Sequence, residues 1–243
     1  KMVDQVTIFE MGPRDGLQNE KQQIATSDKI KLVDLLSDCG FSKIEVTSFV
    51  SPKWVPQMAD ATEVLAGINR YDDISYAALT PNLRGYEGAR AANADEVAIF
   101  ASASEGFSQK NINCSIAESI ERFKPVLEAA KADGISVRGY VSCVTDCPYD
   151  GPTPPQSVAN VARQLLDLGC YEISLGDTIG AAAPETTSLM LEAVLKKDVV
   201  RGTELGAVVG IVGAALVLAV CWYTGFAETY TWVPGIFLAI VIL

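Results

Sequence analysis

Arg14, Asp15 and Gln18 stand close together in the segment GPRDGLQNE, residues 12–20. A guanidinium can stabilise a developing anion, and a carboxylate can accept a proton or hold a hard cation. Further polar groups recur down the chain: Thr47 and Ser48, Thr80 and Asn82, Ser102 and Ser104, Ser142, then Asp177 and Thr178. The chain contains no histidine. That excludes Ser-His-Asp and Cys-His mechanisms and every histidine-based zinc site. Catalysis here has to use carboxylates, Lys, Arg, Tyr, Cys or an oxygen-held metal.

The elements that would position these groups are strands alternating with helices. QVTIFE at 5–10, KIEVTSF at 43–49, ISYAAL at 74–79, EVAIFAS at 96–102, ISVRGYVSC at 135–143 and CYEISL at 170–175 have the short, β-branched character of strands. Helices are predicted between them. One is capped by Thr26 or Ser27 and ends at Gly40; others cover 57–67, 82–92 and 115–132. A fifth runs from Pro155 to Gly169 and a sixth covers 184–197. Six such units imply a parallel sheet with helices outside it. The absence of a Gly-rich dinucleotide loop after the first strand disfavours a doubly wound sheet and favours a barrel. The polar groups fall just past the strand ends, where a barrel keeps its active site. Turn chemistry accounts for any one of them; six in succession favour a shared site.

Composition sets the outer limits. The 243 residues carry 19 basic and 30 acidic side chains, a net charge of −11. This excludes a nucleic-acid partner, which needs clustered positive charge. The six cysteines are irregularly spaced, and the Cys143–Cys147 pair lacks a second pair to make a metal signature. They fit a reducing, cytoplasmic compartment. The start, KMVDQ, shows no signal-peptide pattern.

Near position 198 the character of the chain changes. Residues 202–243 hold two charges, Glu204 and Glu228, and Ala207 to Phe226 is an uncharged run of twenty. That is the length needed to cross a bilayer as a helix, about 20 residues. The run has no polar face, so a membrane span is expected at 207–226, against the alternative of a buried core helix and strand. The expected division is therefore a domain at 1–197 and an apolar tail at 198–243.

GPRDGLQNE at 12–20, IEVTSFVSPKWVPQM at 44–58, LTPN at 79–82, KNINCS at 110–115, RGYVSC at 138–143 and CYEISLGDTIG at 170–180 together resemble the hydroxymethylglutaryl-CoA lyases. The resemblance spans about residues 3–197. It implies a TIM (β/α)8-type barrel, here six βα units without the last two, and a retro-Claisen cleavage of hydroxymethylglutaryl-CoA to acetyl-CoA and acetoacetate, the chemistry of leucine degradation and ketone-body formation. It implies Asp15 as a ligand of Mg²⁺ or Mn²⁺, Arg14 as the group stabilising the enolate, and Glu45 supporting Arg14. Gln18, Ser48, Tyr140, Asp177 and Thr178 would line the acyl-CoA pocket, with Lys110 and Asn111 toward the CoA portion. Homo-oligomers are implied as well. The family's His-x-His metal pair, its Asn ligand and its Cys loop are missing from this sequence. The chain as written is therefore expected to be inactive. The alternatives are a membrane-tethered acyl-CoA-binding module, or a lyase fragment joined to an unrelated sequence by fusion, frameshift or assembly error.

Overall fold

The computed structural model describes residues 6–196, 204–207 and 239–242. The described residues divide into two compact units, one of residues 6–97 and one of residues 98–196 with 204–207. Parallel strands alternating with helices through both define a TIM-barrel-like α/β fold.

The first unit begins with β1 (Val6–Glu10), followed by a tight π-helical turn over Gly12–Gly16. Helix α1 (Thr26–Ser37), β2 (Lys43–Ser48), α2 (Ala61–Gly67), β3 (Ser75–Leu79) and α3 (Leu83–Ala91) follow. The strands pair in parallel in the order β1-β2-β3. Leu32, Val33 and Leu36 of α1 fall on one helical stripe and are buried, as are Ile44 and Val46 of β2. Helix α1 begins as expected, but neither Thr26 nor Ser27 caps it; the N-cap is Ala25. Thr26 Oγ1 instead donates to Asp60 Oδ2 at 2.7 Å, and Lys29 Nζ reaches Asp60 Oδ1 at 2.8 Å. The helix expected over 57–67 is interrupted. Pro56–Met58 forms one 3₁₀ turn before α2, because the Gln57 side chain is buried among backbone groups: it accepts from Ile24 N and donates to the carbonyls of Glu20 and Gln22.

Strand β4 (Glu96–Ser102) straddles the boundary between the units. The second unit continues with α4 (Glu105–Ile112), α5 (Ile116–Asp133), β5 (Ser136–Ser142), a small hairpin of β6 (Asp146–Cys147) and β7 (Gly151–Pro152), α6 (Pro155–Leu168), β8 (Glu172–Leu175) and α7 (Pro184–Val194). Helix α5 starts with a reciprocal capping box between Ser115 and Glu118 and ends at Gly134, whose φ of 73° only glycine adopts without strain. Val158, Val161, Ala162 and Leu165 give α6 its buried stripe. A further strand, β9 (Glu204–Ala207), pairs in parallel with β8 from Glu172↔Glu204 to Leu175↔Ala207. Ala207, the first residue of the expected membrane span, thus lies in a strand. The rest of that span, 208–226, lies outside the described residues. Among the described residues no helix is long and apolar enough to cross a membrane. The last described element is β10 (Ala239–Ile242).

Candidate functional site

In the first unit the polar groups converge on the turn after β1. The π-helical turn is started by Pro13 and places Arg14 inward at 6% exposure. The guanidinium donates through Nε to Glu45 Oε1 and through Nη1 to Asp15 Oδ1 at 2.6 Å. Glu45, in mid-β2, is fully buried, whereas the Asp15 side chain keeps 29% of its surface. One cation is therefore oriented by two carboxylates of different kind. Burying Glu45 is tolerable because its charge is met by a guanidinium. Ser48, at the end of β2, is buried, with its hydroxyl 3.4 Å from the Leu79 carbonyl. Gln18 opens onto a cleft of about 400 Å³ with Asn19, Lys21, Trp54 and Gln57. Trp54, from the WVPQM stretch, is 86% exposed there.

Sequence reasoning missed Glu10. It is the last residue of β1 and fully buried. Its Oε1 accepts from Gly12 N at 2.6 Å, which ties the carboxylate to the first peptide of the turn. Its Oε2 is buried with no partner among the described residues. Burial pushes its pKa up to about 7, although the N–H groups of Gly12 and Met11 pull the other way. An acidic residue closing a β-branched strand was the signal available in the sequence.

In the second unit Asp177 and Thr178 lie past the end of β8. Thr178 Oγ1 accepts from Cys143 N at 2.8 Å. Asp177 Oδ1 accepts from Thr145 Oγ1 at 3.4 Å, and its two oxygens accept from the N–H groups of Ala181 and Ala182. Asp177 thus closes its own turn while reaching the loop after β5. Tyr140 lies on β5 with the Arg138 guanidinium 5.0 Å from its ring centre. Arg138 is itself buried against Glu172, Nε to Oε1 at 2.5 Å. This ion pair was also missed, because strand residues spaced 34 apart give no sequence signal of pairing. Lys110 and Asn111 occupy the exposed last turn of α4, a helix the sequence reading did not predict.

A divalent-cation site needs several oxygen donors. Asp15 is the ligand expected from the sequence, and its Oδ1 accepts from Arg14 Nη1. Among the described residues no three His, Cys, Asp or Glu side chains are grouped to hold a metal ion. The described residues therefore do not fit a complete cation site.

This geometry defines a class: a barrel-type α/β protein with a cation–carboxylate pair on its first loop. Residues 5–205 match the HMGL-like family, and the chain belongs to that family. It is 60% identical over 193 residues to the mitochondrial hydroxymethylglutaryl-CoA lyase of Bos taurus, covering 79% of this chain and 59% of that protein. The chain thus spans about three-fifths of the length of that relative. The solved HMG-CoA lyase of Brucella melitensis superposes with a TM-score of 0.83 at 56% identity, over 92% of this chain and 79% of the other. That of Acinetobacter baumannii, in complex with coenzyme A and 3-methylmalate, gives 0.80 at 32% identity over 93% and 73% of the two chains. These relatives are carbon–carbon lyases.

Proposed function

We propose that this chain carries the acyl-CoA end of a hydroxymethylglutaryl-CoA lyase site, and that the substrate it receives is hydroxymethylglutaryl-CoA. The reading rests on one observation above all: Arg14 is buried and held by both Glu45 and Asp15 on the GPRDG turn. Arg14 stabilises the enolate oxygen of the departing acetyl-CoA thioester through preorganised N–H donors. Glu45 fixes the guanidinium plane, and Asp15, beside Arg14, is the carboxylate proposed as a metal ligand. In the first unit Gln18 and Ser48 are proposed for the acyl portion; in the second, Tyr140, Asp177 and Thr178 are proposed for the acyl portion and Lys110 with Asn111 for the CoA portion. Binding to coenzyme A by the Acinetobacter relative supports the CoA part of the reading.

The Mg²⁺ or Mn²⁺ implied by the resemblance finds no complete set of ligands among the described residues. With one carboxylate ligand and no histidine, the 243-residue chain by itself binds substrate but does not turn it over. Losing positioned acid–base groups commonly lowers rates by roughly 10²–10⁴ each. The test is acetoacetate release from hydroxymethylglutaryl-CoA with added Mg²⁺ or Mn²⁺, beside Asp15→Asn. Release at background in both supports the reading. Robust release that Asp15→Asn abolishes contradicts it and means that Asp15 has found other ligands. The apolar run that follows β9, residues 208–226, is proposed to tether the protein to membranes, a role supported by its lack of charge and its length, close to the ~20 residues of a span. Recovery of the full chain in the soluble fraction without detergent would contradict that.

A further inference from the structure

The second unit holds a thiol cluster that the acyl-CoA reading does not use. Cys143 and Cys147 are both buried, at 0% and 3% exposure. They flank the short connection from β5 into the β6–β7 hairpin. The Cys147 sulfur accepts from the backbone N–H groups of Tyr149 and Asp150, each at 3.3 Å. The Ser104 hydroxyl lies 2.9 Å from the same sulfur and 2.6 Å from Asp150 Oδ2. Two peptide N–H groups thus converge on one sulfur, an arrangement that favours thiolate over thiol, while the single Ser104 proton is shared between the sulfur and the Asp150 carboxylate. Burial pushes the Cys147 thiol up, but Ser104 and the N–H groups of Asp150 and Tyr149 outweigh it and hold the thiol below its usual range. Cys143 sits within hydrogen-bonding reach of Cys147 and is pushed up to about 11, chiefly by burial. Its φ of 59° is a left-handed conformation that residues with a Cβ adopt only at a cost.

Ser104 and Asp150 also line a cavity of about 470 Å³, together with Thr153, Asn160 and Gln164. The Thr153 hydroxyl is buried there without a partner among the described residues. The cavity reaches Ser104 and Asp150, the two residues that touch Cys147, so the sulfur lies one side chain behind its wall.

We propose that Cys147 and Cys143 form a reactive dithiol, a modification site for hydroperoxides. The Cys147 thiolate attacks the peroxide O–O bond. An S–O bond forms, the O–O bond breaks, and the peroxide is reduced to water or alcohol while the sulfur is oxidised to a sulfenic acid. The Cys143 thiol then attacks that sulfur, an S–S bond forms, and water leaves carrying the Cys143 proton. Because Cys143 N donates to Thr178 Oγ1, the disulfide pulls on the loop that carries Asp177 and Thr178.

The test uses the full chain, treated with hydrogen peroxide, then alkylated and digested with trypsin without reduction. Both cysteines fall in the peptide between Arg138 and Arg163. The expected result is loss of two hydrogens from that peptide, with no alkylation of either cysteine. In Cys143→Ser the expected result is a dimedone adduct at Cys147, formed about tenfold faster than any at Cys39, which is exposed but whose thiol is raised. Both thiols remaining alkylatable while Cys39 is oxidised would overturn the proposal. So would a dimedone adduct at Cys143 in Cys147→Ser that forms as fast as the Cys147 adduct. Neither outcome depends on acyl-CoA binding.

Discussion

The Arg14–Asp15–Glu45 group and the Ser104–Cys147–Asp150 group each use burial and donors to hold an anion, with opposite consequences. In the first, a fixed cation meets a fully buried carboxylate, and the charges fix each other's orientation. In the second, no cation contacts the sulfur among the described residues; backbone N–H groups and a hydroxyl shared with Asp150 surround it. An ion pair gives geometry and loses stability steeply if one partner goes. A ring of neutral donors changes acidity and costs little when perturbed.

The largest effect should come from breaking the ion pair. Glu45→Ala leaves a buried guanidinium with its Nε uncompensated, and the expected loss is about 3–5 kcal/mol. Urea unfolding would measure it; a loss below about 1 kcal/mol would mean that Arg14 finds water and that the pair is not buried in the sense used here. Next comes Glu10. Its folded pKa, about 7, is raised from 4.5. The folded state therefore binds the proton more tightly than the unfolded state does. Glu10's contribution is complete below about pH 4.5 and is lost as pH rises toward 7. The expected fall is about 3 kcal/mol across that window. Unfolding midpoints from pH 4.5 to 7.5, compared with Glu10→Gln, should show this slope in the native chain and its loss in the variant; equal slopes would refute it. The smallest stability change is expected at Gly106. A Cβ there would lie 2.2 Å from Asp150 Oδ1. The Asp150 side chain can move into solvent, so Gly106→Ala should cost no more than about 1 kcal/mol. Alkylation of Cys147 should nonetheless quicken several-fold, because a displaced carboxylate no longer competes for the Ser104 proton; an unchanged rate would detach Asp150 from the thiol.

The sequence disclosed the strands because β-branched runs closed by Gly and Asp punctuate it regularly. EVAIFAS is a strand from end to end, and Pro155 and Gly169 bracket α6. Helix α4 escaped notice because it is short and only Ser108 of its eight residues is buried, so no apolar stripe marks it. The cap expected at Thr26 or Ser27 failed because Asp60, distant in sequence, competes for the Thr26 hydroxyl. Within the candidate site, Arg14 and Asp15 were legible from their adjacency. The buried Glu10 carboxylate and the Arg138–Glu172 pair were not, since burial belongs to tertiary packing rather than to spacing. Cys147 looked like half of a metal motif; its neighbours Ser104 and Asp150 stand 43 residues before it and three after it.

The central claim is that the turn after β1 presents Arg14 to hydroxymethylglutaryl-CoA. Calorimetric titration of the full chain with hydroxymethylglutaryl-CoA, in wild type and Arg14→Lys, tests it directly. Lysine keeps a cation beside Glu45 but gives up the planar fork. Saturable binding in wild type, weakened about tenfold or more by Arg14→Lys, is the predicted result. No binding, or equal affinity in the two proteins, would contradict the account.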